Sequence, residues 1–149
     1  MSAQTVDKTI QLVGDGATLA VPGPGIFTLG IPIQLEAMTT SAADLITDWT
    51  PGFNGKILSI DFFTTKLGTG TSASQVLNLE IGSTDVTGGV VTITLASTDT
   101  LGEKSAGTAI TAGNVFTSTD TVSLEVAASG TVFTAGAGVL LLRIQNTQG

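Results

Sequence analysis

From residue 56 onward, apolar and polar positions alternate with a period of two, the spacing that turns one face of a strand to a core and the other to water. Leu58, Ile60 and Phe62 alternate with Ser59, Asp61 and Phe63; Leu77, Leu79 and Ile81 alternate with Asn78 and Glu80; Val122, Leu124 and Val126 alternate with Ser123 and Glu125. The last apolar stretch, GVLLLRIQ at 138–145, carries Leu140, Leu142 and Ile144 on one face and Val139 and Leu141 on the other. Apolar residues on both faces predict a central strand, or one covered from outside. Turn residues separate these segments: LGTGTS at 67–72, GSTD and TGG within 82–89, AGN at 112–114 and AGAG at 135–138.

One stretch departs from that rhythm. In TTSAADLITDW, residues 39–49, Ser41 stands three positions before Asp44, the spacing of a helix N-cap with a carboxylate reaching back, and it predicts a short helical turn. With about eight strands and one such turn, the expected fold is all-β: an antiparallel β-sandwich, jelly-roll-like, with a related barrel as the alternative topology. Residues 1–24 have a different texture. They mix short apolar groups with GDG and PGPG, and Pro22 and Pro24 lack the amide donors a central strand needs. They are expected to form an extended N-terminal arm, followed by a single β-sandwich domain over 25–149.

Composition narrows what such a fold can do. The 149 residues include twelve acidic and five basic side chains, for a formal net charge of -7, and only 11% are charged. The basic residues Lys8, Lys56, Lys66, Lys104 and Arg143 are scattered, which argues against a groove that tracks phosphates, so no nucleic-acid partner is expected. So sparsely charged a surface suits packing against copies or partners. The longest aliphatic run, residues 139–142, is far below the ~20 residues of a membrane span, and the start of the chain lacks a basic region followed by a long apolar stretch. No membrane partner is expected.

The chain has no His and no Cys, which removes the usual general base, the thiolate nucleophile and the common zinc ligands. A carboxylate pair such as Asp61 and Glu80 is the remaining catalytic option if their strands are neighbours. The single Trp49, with no Tyr in the chain, makes a poor sugar-stacking platform and is expected to pack with Phe53 over a sheet edge. DGAT, GSTD and ASTDTLGE offer loop carboxylates for calcium, but none has the spaced D-x-D-x-D-G pattern. The chain is read as a non-enzyme with no cofactor. Arg143, the lone guanidinium, lies in an otherwise apolar terminal strand, where it is read as an internal ion pair with one of the twelve acids or an outward-facing charge at an edge, or, more sharply, as a salt bridge between subunits.

GKILSIDFFTT, LNLEIGSTDVTGGVVTITL, GTAITAGNVFTSTDTVSLEV and GVLLLRIQ together resemble the small β-sandwich capsid decoration, or cement, proteins of tailed bacteriophages. The likeness covers residues 56–146 and rests on strand texture and turn placement. It implies a structural virion protein that binds the outer surface of a phage head through the major capsid protein, commonly as a homotrimer, after assembly in the host bacterial cytoplasm. It also implies a capsid-contacting arm, for which Ile10, Leu12, Val13, Leu19 and Val21 are the candidate contacts. Alternative readings are a head-fibre or carbohydrate-binding recognition module and a tail or fibre subunit.

Overall fold

The computed structural model describes residues 24–127 and 130–148. Among them are nine strands: β1 (Gly25–Gln34), β2 (Ala43–Trp49), β3 (Gly55–Thr69), β4 (Ser74–Ile81), β5 (Thr84–Thr94), β6 (Lys104–Ala106), β7 (Val115–Phe116), β8 (Val122–Val126) and β9 (Ala135–Asn146). Two single 3-10 turns, Leu35–Ala37 and Leu95–Ser97, complete the regular structure. One sheet has the order β1-β9-β3-β6, with β7 also on β3, and the other has the order β2-β8-β4-β5.

The pairing follows a simple rule. Leaving aside the two-residue β7, the first strand pairs with the last, the second with the penultimate, β3 with β6, and the middle strands β4 and β5 with each other, all antiparallel. The chain is thus a long hairpin rolled up so that successive pairs fall in alternate sheets, which is a jelly roll. Its fold point is the β4–β5 turn, where Ile81 pairs with Thr84 and Gly82 takes φ +62°. A glycine at the first central position of a two-residue hairpin supplies that positive φ without a Cβ clash.

The two inner faces meet in one apolar core. Ile57, Ile60, Phe62, Leu140, Leu142 and Ile144 come from one sheet, and Leu77, Leu79, Val91, Ile93 and Leu124 from the other, all buried. As the two-faced pattern of its sequence requires, β9 is central, between β1 and β3, with Val139 and Leu141 half-buried on its outer face. At one end Phe53 sits between Phe27 and Phe116, with ring centroids 5.7 and 5.5 Å away in edge-to-face contact.

Four local expectations are corrected. Residues 43–49 form β2, not a helical turn: Ala43, Asp44, Ile46 and Trp49 pair with β8, so tertiary strand pairing overrides the local capping pattern. In β3 an extra residue lies between Ile57 and Ser59 opposite β9, and this bulge buries Ile57 while Leu58 is only half-buried. TGG at 87–89 lies inside β5, where the register jumps relative to β4, and does not end a strand. AGAG at 135–138 opens β9, because a Cβ on Gly138 would collide with the Phe62 ring and the Phe63 carbonyl. Those glycines admit core side chains to the backbone.

Among the described residues the sandwich closes on one side only. There β5 and β6 touch, and residues 108–112 cover the edge of β5: Thr108 N donates to the Val90 carbonyl at 2.8 Å, Thr111 N to Thr87 at 2.9 Å, and Thr87 N to Ala112 at 3.0 Å. On the other side the edge strands are β1 and β2.

Candidate functional site

Along the β1/β2 side the sheets part to form an apolar cleft of about 260 Å³. Leu29 and Ile31 project from β1, Ile46 and Trp49 from β2, Val122 and Leu124 from β8, and Leu79 and Leu142 form the floor. Alternation explains the β1 contribution, since Phe27, Leu29, Ile31 and Ile33 share the inward face while Ile26, Thr28, Gly30 and Pro32 point out. A second hollow of about 260 Å³ shares Ile31 and Ile46 with the first and adds Ile33, Ala37 and Leu45. The apolar trough therefore follows the seam between the two edge strands.

Its wall on the β2 side is irregular. β2 shifts register twice, Asp48 adopts φ +52°, and the Asp48 amide donates to Ser123 Oγ at 3.1 Å. Aspartate tolerates the left-handed region better than most residues. The contact also engages the one hydroxyl lining the main cleft. Trp49 is half-buried here, away from Phe53, whose ring contacts are with Phe27 and Phe116; this corrects the expected Trp49–Phe53 pairing.

The outer face of the β2-β8-β4-β5 sheet gathers negative charge. Asp44 pairs in register with Glu125, Glu125 with Asn78, and Glu80 with Asp85. Carboxylate oxygens of Asp44, Glu80 and Glu125 lie within 4.8 Å of one another. Asn78 Nδ2 donates to Asp85 Oδ1 at 2.7 Å. Among the described residues the basic side chains are Lys56, Lys66, Lys104 and Arg143, and all four belong to strands of the opposite sheet. Burial, and then the neighbouring Glu125 carboxylate, push the Glu80 carboxyl above the ordinary carboxylate range, with Asp85 and Asp44 adding to the effect.

The proposed catalytic pair does not assemble. Asp61 lies on β3 and Glu80 on β4, in different sheets. Asp61 is instead taken by Lys104, 3.2 Å away, and by the Gly107 amide at 3.3 Å. The carboxylate-bearing loops GSTD and ASTDTLGE form no cluster of three potential metal ligands among the described residues; the group that does form is Asp44, Glu80 and Glu125 on strands. Arg143 is exposed on the outer face of β9, opposite Thr28 and Ser59, without a salt bridge among the described residues. Ile10, Leu12, Val13, Leu19 and Val21, and the DGAT loop, lie outside the described residues. Sequence reasoning missed both the cleft and the acidic trio. The alternation in β1, β4 and β8 was visible, but which strands are neighbours was not.

No protein-family model matches the chain, and no curated protein matches it. Among solved structures the chain is similar to the structure of infectious bursal disease virus Gx strain, at 14% sequence identity and a TM-score of 0.36. That likeness covers 94% of this chain, which spans 37% of the length of the other. The class of protein is defined by the strand pairing itself: an all-β jelly-roll sandwich.

Proposed function

We propose that the chain is a structural virion protein, a decoration or cement protein that binds the outer surface of a phage head through the major capsid protein and stabilises it as a homotrimer. The observation that carries this reading is the rolled-hairpin pairing, β1 with β9 through β4 with β5, in a chain with so few charges. Jelly rolls serve as building blocks of viral shells and as lectin domains. The chain's lack of His and Cys and the separation of Asp61 from Glu80 favour a mechanical role over catalysis.

In this mechanism apolar residues of the N-terminal arm, Ile10, Leu12, Val13, Leu19 and Val21, supply contacts to capsid strands or loops, with backbone hydrogen bonds adding affinity. Trimerisation then converts three weak contacts into one strong attachment through effective concentration. The exposure of Arg143 on the outer face of its sheet supports a role for it in an ion pair with a neighbouring subunit. Carbohydrate recognition has the same fold behind it, but the cleft around Trp49 offers a sugar only the Ser123 hydroxyl.

Co-sedimentation tests the reading. The protein is run alone, then mixed with undecorated heads assembled from the major capsid protein of the same virus. The expected result is a trimer that pellets with heads at saturating stoichiometry, and loading is lost when residues 2–21 are deleted. A monomer that stays in the supernatant with intact heads refutes it.

A further inference from the structure

Charge is divided between the two sheets. Among the described residues, the strands of the β2-β8-β4-β5 sheet carry five acids, Asp44, Asp48, Glu80, Asp85 and Glu125, and no basic residue. The strands of the other sheet carry Lys56, Lys66, Lys104 and Arg143 against one acid, Asp61, which Lys104 already engages at 3.2 Å. Lys56 and Arg143 are both exposed, without a salt bridge among the described residues. Lys56 pairs with Gln145, two residues along β9 from Arg143, so the two cations are diagonal neighbours on the outer face, roughly 7–8 Å apart.

Exposed apolar side chains flank these cations. Ile26 on β1 pairs with Gln145, and Val115 on β7 pairs with Lys56, so Ile26, Gln145, Lys56 and Val115 form one row across four strands. Ile26 is 53% exposed and Val115 66%, which puts two of the large hydrophobic residues most open to water beside two unpaired cations. We propose that this patch, Ile26, Lys56, Val115 and Arg143, docks a second copy of the chain, which presents the Asp44, Glu80 and Glu125 carboxylates of its opposite sheet.

Charge complementarity selects the occupant, because the chain itself carries the acidic face that the patch fits. The three carboxylates lie within 4.8 Å of one another, close enough for two long cationic side chains to converge on them. Val90 pairs with Asn78, and Asn78 with Glu125, so the acidic face also sets an apolar side chain beside its charges. An exposed ion pair alone contributes little; closing the two faces also takes Ile26 and Val115 out of water. The patches lie on the outer faces of opposite sheets, so the contact is heterologous and joins different surfaces of successive copies. The inference rests on the homo-oligomer of the proposed function and names the surfaces that build it. It does not depend on a phage head being the target.

Sedimentation velocity of the full chain over a concentration series, without heads, tests it by charge swapping. Lys56→Glu/Arg143→Glu and Asp44→Lys/Glu125→Lys are each expected to weaken self-association at least about tenfold. Lys66→Glu, a charge reversal on β3 outside the patch, leaves it as in the parent. The acid-to-lysine variant is the sharper arm: it brings the net charge of -7 closer to zero, so general repulsion alone would make it associate more strongly, and that result overturns the proposal. Mixing the two double variants is expected to restore association, because each then meets a face of opposite sign. Restoration also shows that neither variant lost association by unfolding, and a mixture that stays dissociated counts against the proposal. A parent oligomer indifferent to both double variants, or weakened as much by Lys66→Glu, overturns the docking surfaces and leaves the oligomer standing. A parent that remains monomeric throughout removes both, and leaves the patch to a separate acidic partner.

Discussion

Replacing Glu80 by glutamine removes one charge from a face that holds too many of one sign. Carboxylate oxygens of Glu80, Glu125 and Asp44 lie within 4.8 Å of one another, and Glu80 is in register with Asp85 as well. Two unit charges about 4 Å apart in water repel by about 1 kcal/mol, and salt screens part of that. Because Glu80 is half-buried and its neighbours are partly solvated, the expected gain from E80Q is about 1 kcal/mol at low salt. The amide can still donate to Asp85, so the substitution does not strand that carboxylate. For a domain of this size 1 kcal/mol corresponds to about 2–4 °C in Tm, measurable by scanning calorimetry. Two signatures separate electrostatics from packing. In about 1 M salt, where the screening length is about 3 Å, the difference between E80Q and the parent shrinks. It also has a defined pH dependence: the Glu80 carboxyl titrates above its ordinary value of 4.5, so the folded chain holds this proton where the unfolded chain has lost it. The parent therefore loses stability as pH rises from about the ordinary value through the raised one, and E80Q is free of that loss. A lower Tm for E80Q, or an identical salt and pH response in both proteins, refutes the reasoning.

Phe53→Ala is expected to cost about 3–5 kcal/mol, measured by denaturant unfolding, because it empties a fully enclosed site and removes the edge-to-face contacts with Phe27 and Phe116. Gln75 is fully buried, and among the described residues neither its amide nitrogen nor its oxygen has a hydrogen-bond partner. Gln75→Met keeps the length and removes the stranded polar atoms, so it is expected to stabilise by about 1–2 kcal/mol; a loss of stability would show that the amide is satisfied.

The legible part of this fold is the part written in period two. Leu77 and Leu79, Val122, Leu124 and Val126, and Leu140, Leu142 and Ile144 are buried as their alternation requires. Where backbone irregularity intervenes, alternation misleads: the bulge between Ile57 and Ser59 moves the inward position off Leu58. Small residues mislead differently. Gly136 and Gly138 read as a turn, yet they lie in β9 because Leu35 and Phe62 pack onto the backbone there. Ser41 and Asp44 offered a plausible helix start, and only the pairing of β2 with β8 overrides it. The acidic trio was hidden for a related reason: Asp44, Glu80 and Glu125 are far apart in sequence and meet only because β2, β8 and β4 are consecutive in one sheet.

Strand order also explains why the cleft lies where it does. In a hairpin rolled from its ends, the outermost pair puts β1 at the rim of one sheet and the next pair puts β2 at the rim of the other. Both rims fall on the same side, next to the chain's entry into β1. The inner pairs put β6 and β5 at the opposite rims, where those strands touch and residues 108–112 add hydrogen bonds to β5. Burial is therefore completed locally on the β5/β6 side, by residues near those strands in sequence. On the β1/β2 side no further strand among the described residues completes either rim, so the seam between the sheets stays open there as the apolar cleft lined by Leu29, Ile31, Ile46 and Trp49.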